Sequence, residues 1–182
     1  MTRIAVVGNG GSGKTWLALR LSDGLDVPVI HLDLYRYDAE GQRRDDDTFL
    51  DEVQRKLNET SWVADGNYLG TLGDRLSRAD VVVFLDLPAV VCLVGVLARR
   101  LRNKGRRVED AGHVDRFGAA FVRYVLTYDT SMRPRLLAQL TRAQCRVVRV
   151  RSRRQARALL GQTFWRATPT EPGPCNVGVG AR

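Results

Sequence analysis

Short apolar runs alternate with amphipathic stretches along most of the chain. Residues 3–7 carry Ile-Ala-Val-Val up to Gly8 and predict a buried strand. Residues 8–13 form a glycine-rich loop. Residues 14–25 place Trp16, Leu17, Leu19 and Leu21 at helical spacing, ending near Gly24. Residues 28–32 predict a second strand, ending at Asp33. Residues 45–58 predict a helix with acids in its first turn, where the helix dipole favours them, and with Phe49, Leu50, Val53 and Leu57 on its apolar face. Residues 61–64 read as a third strand running into Asp65-Gly66, and residues 72–77 as a short helix. Val-Val-Val-Phe-Leu-Asp-Leu at 81–87 is the clearest strand, stopped by Pro88. A helix over 89–101 turns basic at its end. Residues 103–112 are a polar loop, 114–140 a long broken helical stretch, 146–150 a fifth strand and 153–160 a last helix. From Gly161 onward periodicity is lost among prolines and glycines, which predicts a flexible tail over 161–182.

Strands alternating with helices predict an α/β fold with a mainly parallel sheet, in a single domain over residues 1–160. Ligands of such sheets bind outside the carboxyl ends of the strands. Here those ends carry Gly8, Asp33, Asp65 and Asp86, so three of the four are carboxylates.

The loop Gly8-Asn9-Gly10-Gly11-Ser12-Gly13-Lys14-Thr15 satisfies the Walker A pattern G-x-x-x-x-G-K-[ST]. Glycines let the backbone approach phosphates closely, and successive N–H groups form an anion nest. The following helix adds the positive end of its dipole. In this chemistry Lys14 reaches the β- and γ-phosphates and the Thr15 hydroxyl binds Mg²⁺. A glycine turn with an accidental lysine is the bland reading. The preceding strand and following helix argue for the phosphate loop, with Trp16 as core packing.

Composition narrows the partners. Of the 182 residues, 44% are hydrophobic, enough for an ordinary globule. No apolar run approaches the roughly 20 residues of a membrane span, and the first residues lead straight into a strand without a signal peptide, so a cytoplasmic location is expected. Cys92, Cys145 and Cys175 are far apart, with no CxxC pair, and His31 and His113 are too few and too separated to suggest a metal site. The net charge of +9 suits either nucleic acid or a bound nucleotide. No RNP motif, helix-turn-helix signature or aromatic interleaving accompanies the basic run, so nucleic acid is the less favoured partner.

Three P-loop classes can be separated. A signalling GTPase needs N-K-x-D, and Asn103-Lys104-Gly105-Arg106 lacks the acid. A motor-type ATPase has a second acid after the Walker B carboxylate, whereas Asp86 is followed by Leu87. A small kinase needs a basic lid after the fourth strand and its helix, and the run from Arg99 through Arg107 lies there, predicting a lid over about 102–117. Such a run can also be a solvated helix end.

Several blocks make the chain resemble adenylate-kinase-related P-loop kinases, closest to the group called DNA topology modulation proteins. They are V-V-G-N-G-G-S-G-K-T, V-I-H-L-D-L, W-V-A-D-G-N-Y-L-G-T-L-G-D-R-L-S-R-A-D, V-V-V-F-L-D-L-P and R-Y-V-L-T-Y-D-T-S-M-R-P-R-L-L, spread over about residues 2–160. The resemblance implies a P-loop NTPase three-layer sandwich with a five-stranded sheet of order 2-3-1-4-5, using ATP and Mg²⁺. It departs from adenylate kinase where D-G-F-P-R is replaced by Asp65-Gly66-Asn67-Tyr68, which removes the AMP-contacting arginine; the lid also lacks paired zinc cysteines.

The expected roles follow. Gly8 through Thr15 bind ATP, with Arg99 or Arg100 at adenine or phosphate. Asp33 takes a proton from an acceptor hydroxyl or positions it; for a phosphate acceptor it would orient Mg²⁺ waters instead. Asp65 holds Mg²⁺ with Thr15 or orients the acceptor. Asp86 is a further acid or a cap. Arg36, Asn67, Tyr68 and Arg75 lie on the loops after strands two and three and are acceptor-pocket candidates. Lys14, Asp33, Arg106 and Arg123 form the expected catalytic set, with Arg107 in the lid and Arg133 on the helical return. The expected activity is γ-phosphoryl transfer from ATP to a nucleotide, nucleoside or other small hydroxylated acceptor, an antibiotic hydroxyl included. The alternative is a nucleic-acid-associated or regulatory ATPase.

Overall fold

The computed structural model describes residues 1–38, 42–103, 118–162 and 165. Five strands form one sheet: β1 (Arg3–Gly8), β2 (Val29–His31), β3 (Trp62–Asp65), β4 (Val81–Leu85) and β5 (Arg146–Val150). Their order is β2-β3-β1-β4-β5 and every pairing is parallel, as expected. The central strands are buried on both faces, which is why they read as unbroken apolar runs.

Alternate residues of each strand feed two separate cores. Ile4 and Val6 pack with Leu17 and Leu21 of α1 (Lys14–Leu25), Cys92 and Val96 of α5 (Ala89–Asn103), Val125 of α6 (Ala119–Ser131) and Leu159 of α8 (Arg153–Leu159). Ala5 and Val7 face Phe49 and Val53 of α3 (Asp46–Leu57), Leu72 of α4 (Leu69–Arg78) and Leu136 of α7 (Arg133–Leu140). The result is a three-layer α/β sandwich.

Local chemistry sets the helix ends. The Asp45 carboxylate accepts from the Thr48 N–H at 2.8 Å to cap α3, with Asp46 and Asp47 following in the first turn. Ser152 caps α8 in the same way through the Gln155 N–H.

Several boundaries differ from the pattern reading. β2 stops at His31, because Leu32 opens a short helix, α2 (Leu32–Arg36), that carries Asp33 in its first turn. Asp33 is therefore not a strand-end residue. β4 ends at Leu85; the Asp86 N–H still reaches the Val150 carbonyl at 2.8 Å. The broken helical stretch divides at Met132 into α6 and α7, where Pro134 occupies the first turn of α7, the one place in a helix that tolerates it. Trp165 lies past the expected boundary at 160, yet it is buried against the α8 face and donates its indole N–H to the Leu159 carbonyl at 2.9 Å. Among the described residues no helix is long and apolar enough to cross a membrane.

Candidate functional site

The loop between β1 and α1 bends through glycines in the left-handed region. Gly11 has φ 76° and Gly13 φ 97°. At Gly11 a Cβ would also lie 2.2 Å from the Cys92 carbonyl oxygen, so helix α5 rests directly on the loop. Gly95 makes the reciprocal contact: its Cβ position is 2.3 Å from the Gly11 carbonyl oxygen. Gly8 and Gly10 also leave no room for a Cβ, which would lie 2.5 Å from the Leu85 carbonyl oxygen and 2.8 Å from the Phe121 ring. Gly13 precedes the first turn of α1 and accepts from the Leu17 N–H at 3.0 Å.

Two buried side chains complete the loop. The Asn9 amide donates to the Val125 carbonyl at 2.9 Å and leaves its Oδ1 without a partner. The Ser12 hydroxyl is buried and also without a partner. Lys14 is partly buried and donates to the Asn9 carbonyl at 2.9 Å, folding its ammonium over the loop. Burial pushes its pKa below the ordinary lysine value, against the pull of the Asp65 and Asp33 carboxylates; Arg99 on α5 pushes it further the same way as burial.

Beside the loop, three residues from three elements join in a chain. The Thr15 hydroxyl donates to Asp65 Oδ2 at 2.6 Å, and His31 Nδ1 lies 2.6 Å from Asp65 Oδ1. The β2–β3 register sets this pair, since His31 and Asp65 are direct partners in the ladder. Burial works against the Asp65 carboxylate, but the bond and charge of His31, the Thr15 hydroxyl and the Lys14 ammonium prevail and hold its pKa below the usual carboxylate value.

The acceptor-pocket candidates divide. Tyr68 donates its hydroxyl to Asp33 Oδ1 at 2.5 Å, and its ring lies 5.1 Å from that of Phe49. Asp33 is exposed and close enough to Lys14 to affect its charge. Arg36 is buried, stacks 4.9 Å over the Phe49 ring and bonds Asp46, while its Nη1 has no partner. These residues line one side of the sheet's carboxyl end.

Asn67 and Arg75 instead serve the backbone. The Asn67 amide bonds both the N–H and the carbonyl of Gly8 and also donates to the Tyr124 hydroxyl at 2.9 Å. Arg75 is fully buried and donates to the Gly66 carbonyl at 2.8 Å, the Tyr68 carbonyl at 3.0 Å and the Thr71 carbonyl at 3.4 Å. Burial lowers its pKa to about 10, against the pull of Asp65.

Asp86 is likewise engaged away from the loop. Arg133 grips both its oxygens, at 2.8 and 3.0 Å, and Arg149 reaches Oδ2 from β5 at 2.7 Å through Nε. Burial opposes its ionisation, yet the two guanidiniums hold its pKa below the ordinary value. Arg133, placed from sequence on the helical return, is in this structure an ion-pair partner of Asp86. Arg99 is half-buried on the α5 side and Arg123 is exposed on α6. Arg106 and Arg107, with the lid residues from 104 to 117, lie outside the described residues.

His31 is the residue that pattern reading missed. Its signal was its place at the carboxyl end of β2, two positions before Asp33. Its partner stands 34 residues away, and only strand register joins them. Among the described residues no group of three or more His, Cys, Asp or Glu side chains is arranged to hold a metal alone, so any ion here would need oxygens from elsewhere.

No family model matches the chain, and no curated protein is significantly similar to it. Among solved structures it is similar to the 1.7 Å crystal structure of shikimate kinase from Bacteroides thetaiotaomicron, at 21% identity, over 87% of this chain and 94% of that one, with a TM-score of 0.48.

Proposed function

We propose that this chain is an ATP-dependent phosphotransferase that moves the γ-phosphoryl group onto a small acceptor. One observation carries the reading: the Thr15 hydroxyl is held by Asp65 beside the Lys14 ammonium, at the foot of a loop of left-handed glycines. Neutral turns have no need of that set.

The residues fit a nucleotide triphosphate and its magnesium. The loop opens α1 with positive-φ glycines and a buried, unpartnered Ser12 hydroxyl, the features of an anion nest. Thr15 and Asp65 would hold Mg²⁺, which keeps the rest of its coordination shell from water and phosphate oxygens. When bound, ATP supplies the phosphoryl group and Mg²⁺ neutralises its charge. Lys14 would exchange its bond to the Asn9 carbonyl for the outer phosphates, placing a cation where charge spreads during transfer.

The acceptor side is built by Asp33, Tyr68 and Arg36. Asp33, on the exposed first turn of α2, accepts O–H donors, as its bond from Tyr68 illustrates. It would receive or orient an acceptor hydroxyl. The helix end at Arg99, together with Arg106 and Arg123, is assigned to closing the phosphate side, with residues 102–117 as the lid.

The test is ADP release from ATP against a panel of nucleosides, nucleotides, sugars and other hydroxylated metabolites. One acceptor should raise turnover sharply above basal hydrolysis. Uniform basal hydrolysis across the panel contradicts the transferase reading. Lys14→Ala should reduce turnover by roughly 10²-fold or more.

A further inference from the structure

The carboxylate of Asp65 has a second partner that the phosphotransferase reading does not use. We propose that His31 is the positioning residue that fixes Asp65 for the divalent cation and keeps that carboxylate off Lys14. The proposal rests on the phosphotransferase reading above and deepens it.

A terminal carboxylate torsion is broad and roughly two-fold, so Asp65 alone has no reason to keep one oxygen toward Thr15. It is also buried beside a cation. Lys14 is near enough to lower its pKa, and a desolvated carboxylate next to an ammonium gains by closing a direct ion pair. The structure shows a different arrangement. Lys14 donates to the Asn9 carbonyl, and the two Asp65 oxygens are divided between Thr15 and His31, each at 2.6 Å.

His31 suits this task by position. β2 and β3 pair in register at His31 and Asp65, so the imidazole arrives from the neighbouring strand at the same level as the carboxylate. Both side chains are shielded, at 13% and 7% exposure, so the contact is little diluted by water. An ionised carboxylate only accepts, so Nδ1 carries the hydrogen of this bond. With Oδ1 fixed, Oδ2 and the Thr15 oxygen stay together as a ready pair of hard oxygen ligands. Partners of this kind, one shell out from the ion, orient the ligating group and commonly matter by 10–100-fold in metal affinity.

The geometry also predicts which replacement keeps the function. Asparagine carries its amide N–H at the same branch position as Nδ1, so His31→Asn retains the donor to Oδ1. His31→Ala removes it, freeing Asp65 to turn toward Lys14.

The experiment uses the full chain and two binding measurements: ATP affinity by calorimetry in EDTA, and Mn²⁺ affinity of the ATP complex by electron paramagnetic resonance. His31→Ala should weaken Mn²⁺ binding to the ATP complex by about 10–100-fold, with a smaller loss of metal-free ATP affinity as Asp65 draws on Lys14. His31→Asn should bind Mn²⁺ close to wild type. Unchanged Mn²⁺ affinity in His31→Ala, or an equal loss in His31→Asn, overturns the proposal. A loss of metal-free ATP affinity as large as the loss of Mn²⁺ affinity in His31→Ala also overturns it, because His31 would then support the loop itself and not the cation ligand. If the wild-type chain binds no ATP with or without metal, the phosphotransferase reading fails instead.

Discussion

Asn67 holds Gly8 by both of its backbone groups: Oδ1 accepts the Gly8 N–H at 2.9 Å and Nδ2 donates to the Gly8 carbonyl at 2.5 Å. The first residue of the glycine-rich loop is thus fixed from the D-G-N-Y block 59 positions away. The loop inherits its shape partly from β3, and not only from its own glycines.

Asn67→Ala removes both bonds to the backbone of the buried Gly8. The expected loss of stability is about 2 kcal/mol, read by urea unfolding. The KM for ATP should rise as well, because the loop entrance relaxes. A variant with unchanged ATP binding would show that the glycines alone hold the loop.

Lys14 should leave its mark on the alkaline limb of the pH profile. Burial, the largest influence, sets its pKa below 10.5, although Asp65 and Asp33 pull upward. Deprotonation removes the cation from the phosphates, so kcat/KM for ATP should begin to fall before pH 10.5 is reached. Lys14→Arg, whatever its residual activity, should lack this limb, since a guanidinium remains charged there. An identical limb in both proteins assigns it to another group.

Asp86 stabilises the junction of β4, β5 and α7 by taking two arginines on one carboxylate. Its folded-state pKa is depressed, so its contribution is full above the unfolded value of about 3.9 and is lost as pH falls through the lower folded value. Asp86→Asn should cost about 2 kcal/mol at pH 7, below the buried-pair ceiling because Arg133 and Arg149 retain 28% and 22% exposure. The acid limb of the stability profile should shrink with it. Urea midpoints between pH 7 and 3 measure both.

Two glycine-to-alanine changes in helices should act in opposite directions. At Gly73 in α4 nothing lies within 4 Å of a new Cβ, so Gly73→Ala should stabilise by about 0.5–1 kcal/mol through helix propensity. At Gly95 in α5 the Cβ would sit 2.3 Å from the Gly11 carbonyl oxygen. Gly95→Ala should therefore lower the melting temperature and weaken ATP binding, despite the same gain in propensity. Thermal melts with and without ATP separate the two cases.

The sheet was legible because its strands are buried on both faces. Val81 to Leu85 is one unbroken apolar run, and no other element fits it. The glycine-rich loop between β1 and α1 was legible because its glycines and Lys14 stand close together in sequence. Contacts that depend on distant backbone were not legible. Asn67 and Arg75 look like loop and helix polar groups, yet their partners are carbonyls and an N–H that carry no sequence signature. Asp33 was displaced because Leu32 turns the chain into α2 one residue after the strand. His31 was overlooked since parallel register, which aligns it with Asp65, is fixed by the whole sheet and by no local pattern.

The guanidinium of Arg75 ties the carbonyls of Gly66, Tyr68 and Thr71 from inside the protein. The turn after β3 and the start of α4 are consequently tied to each other through one side chain. Among the described residues α2 and α3 have no such internal tie: there Arg36 rests on Phe49 and meets the exposed Asp46. On the phosphotransferase reading, acceptor preference should be open to change through substitutions on those two helices.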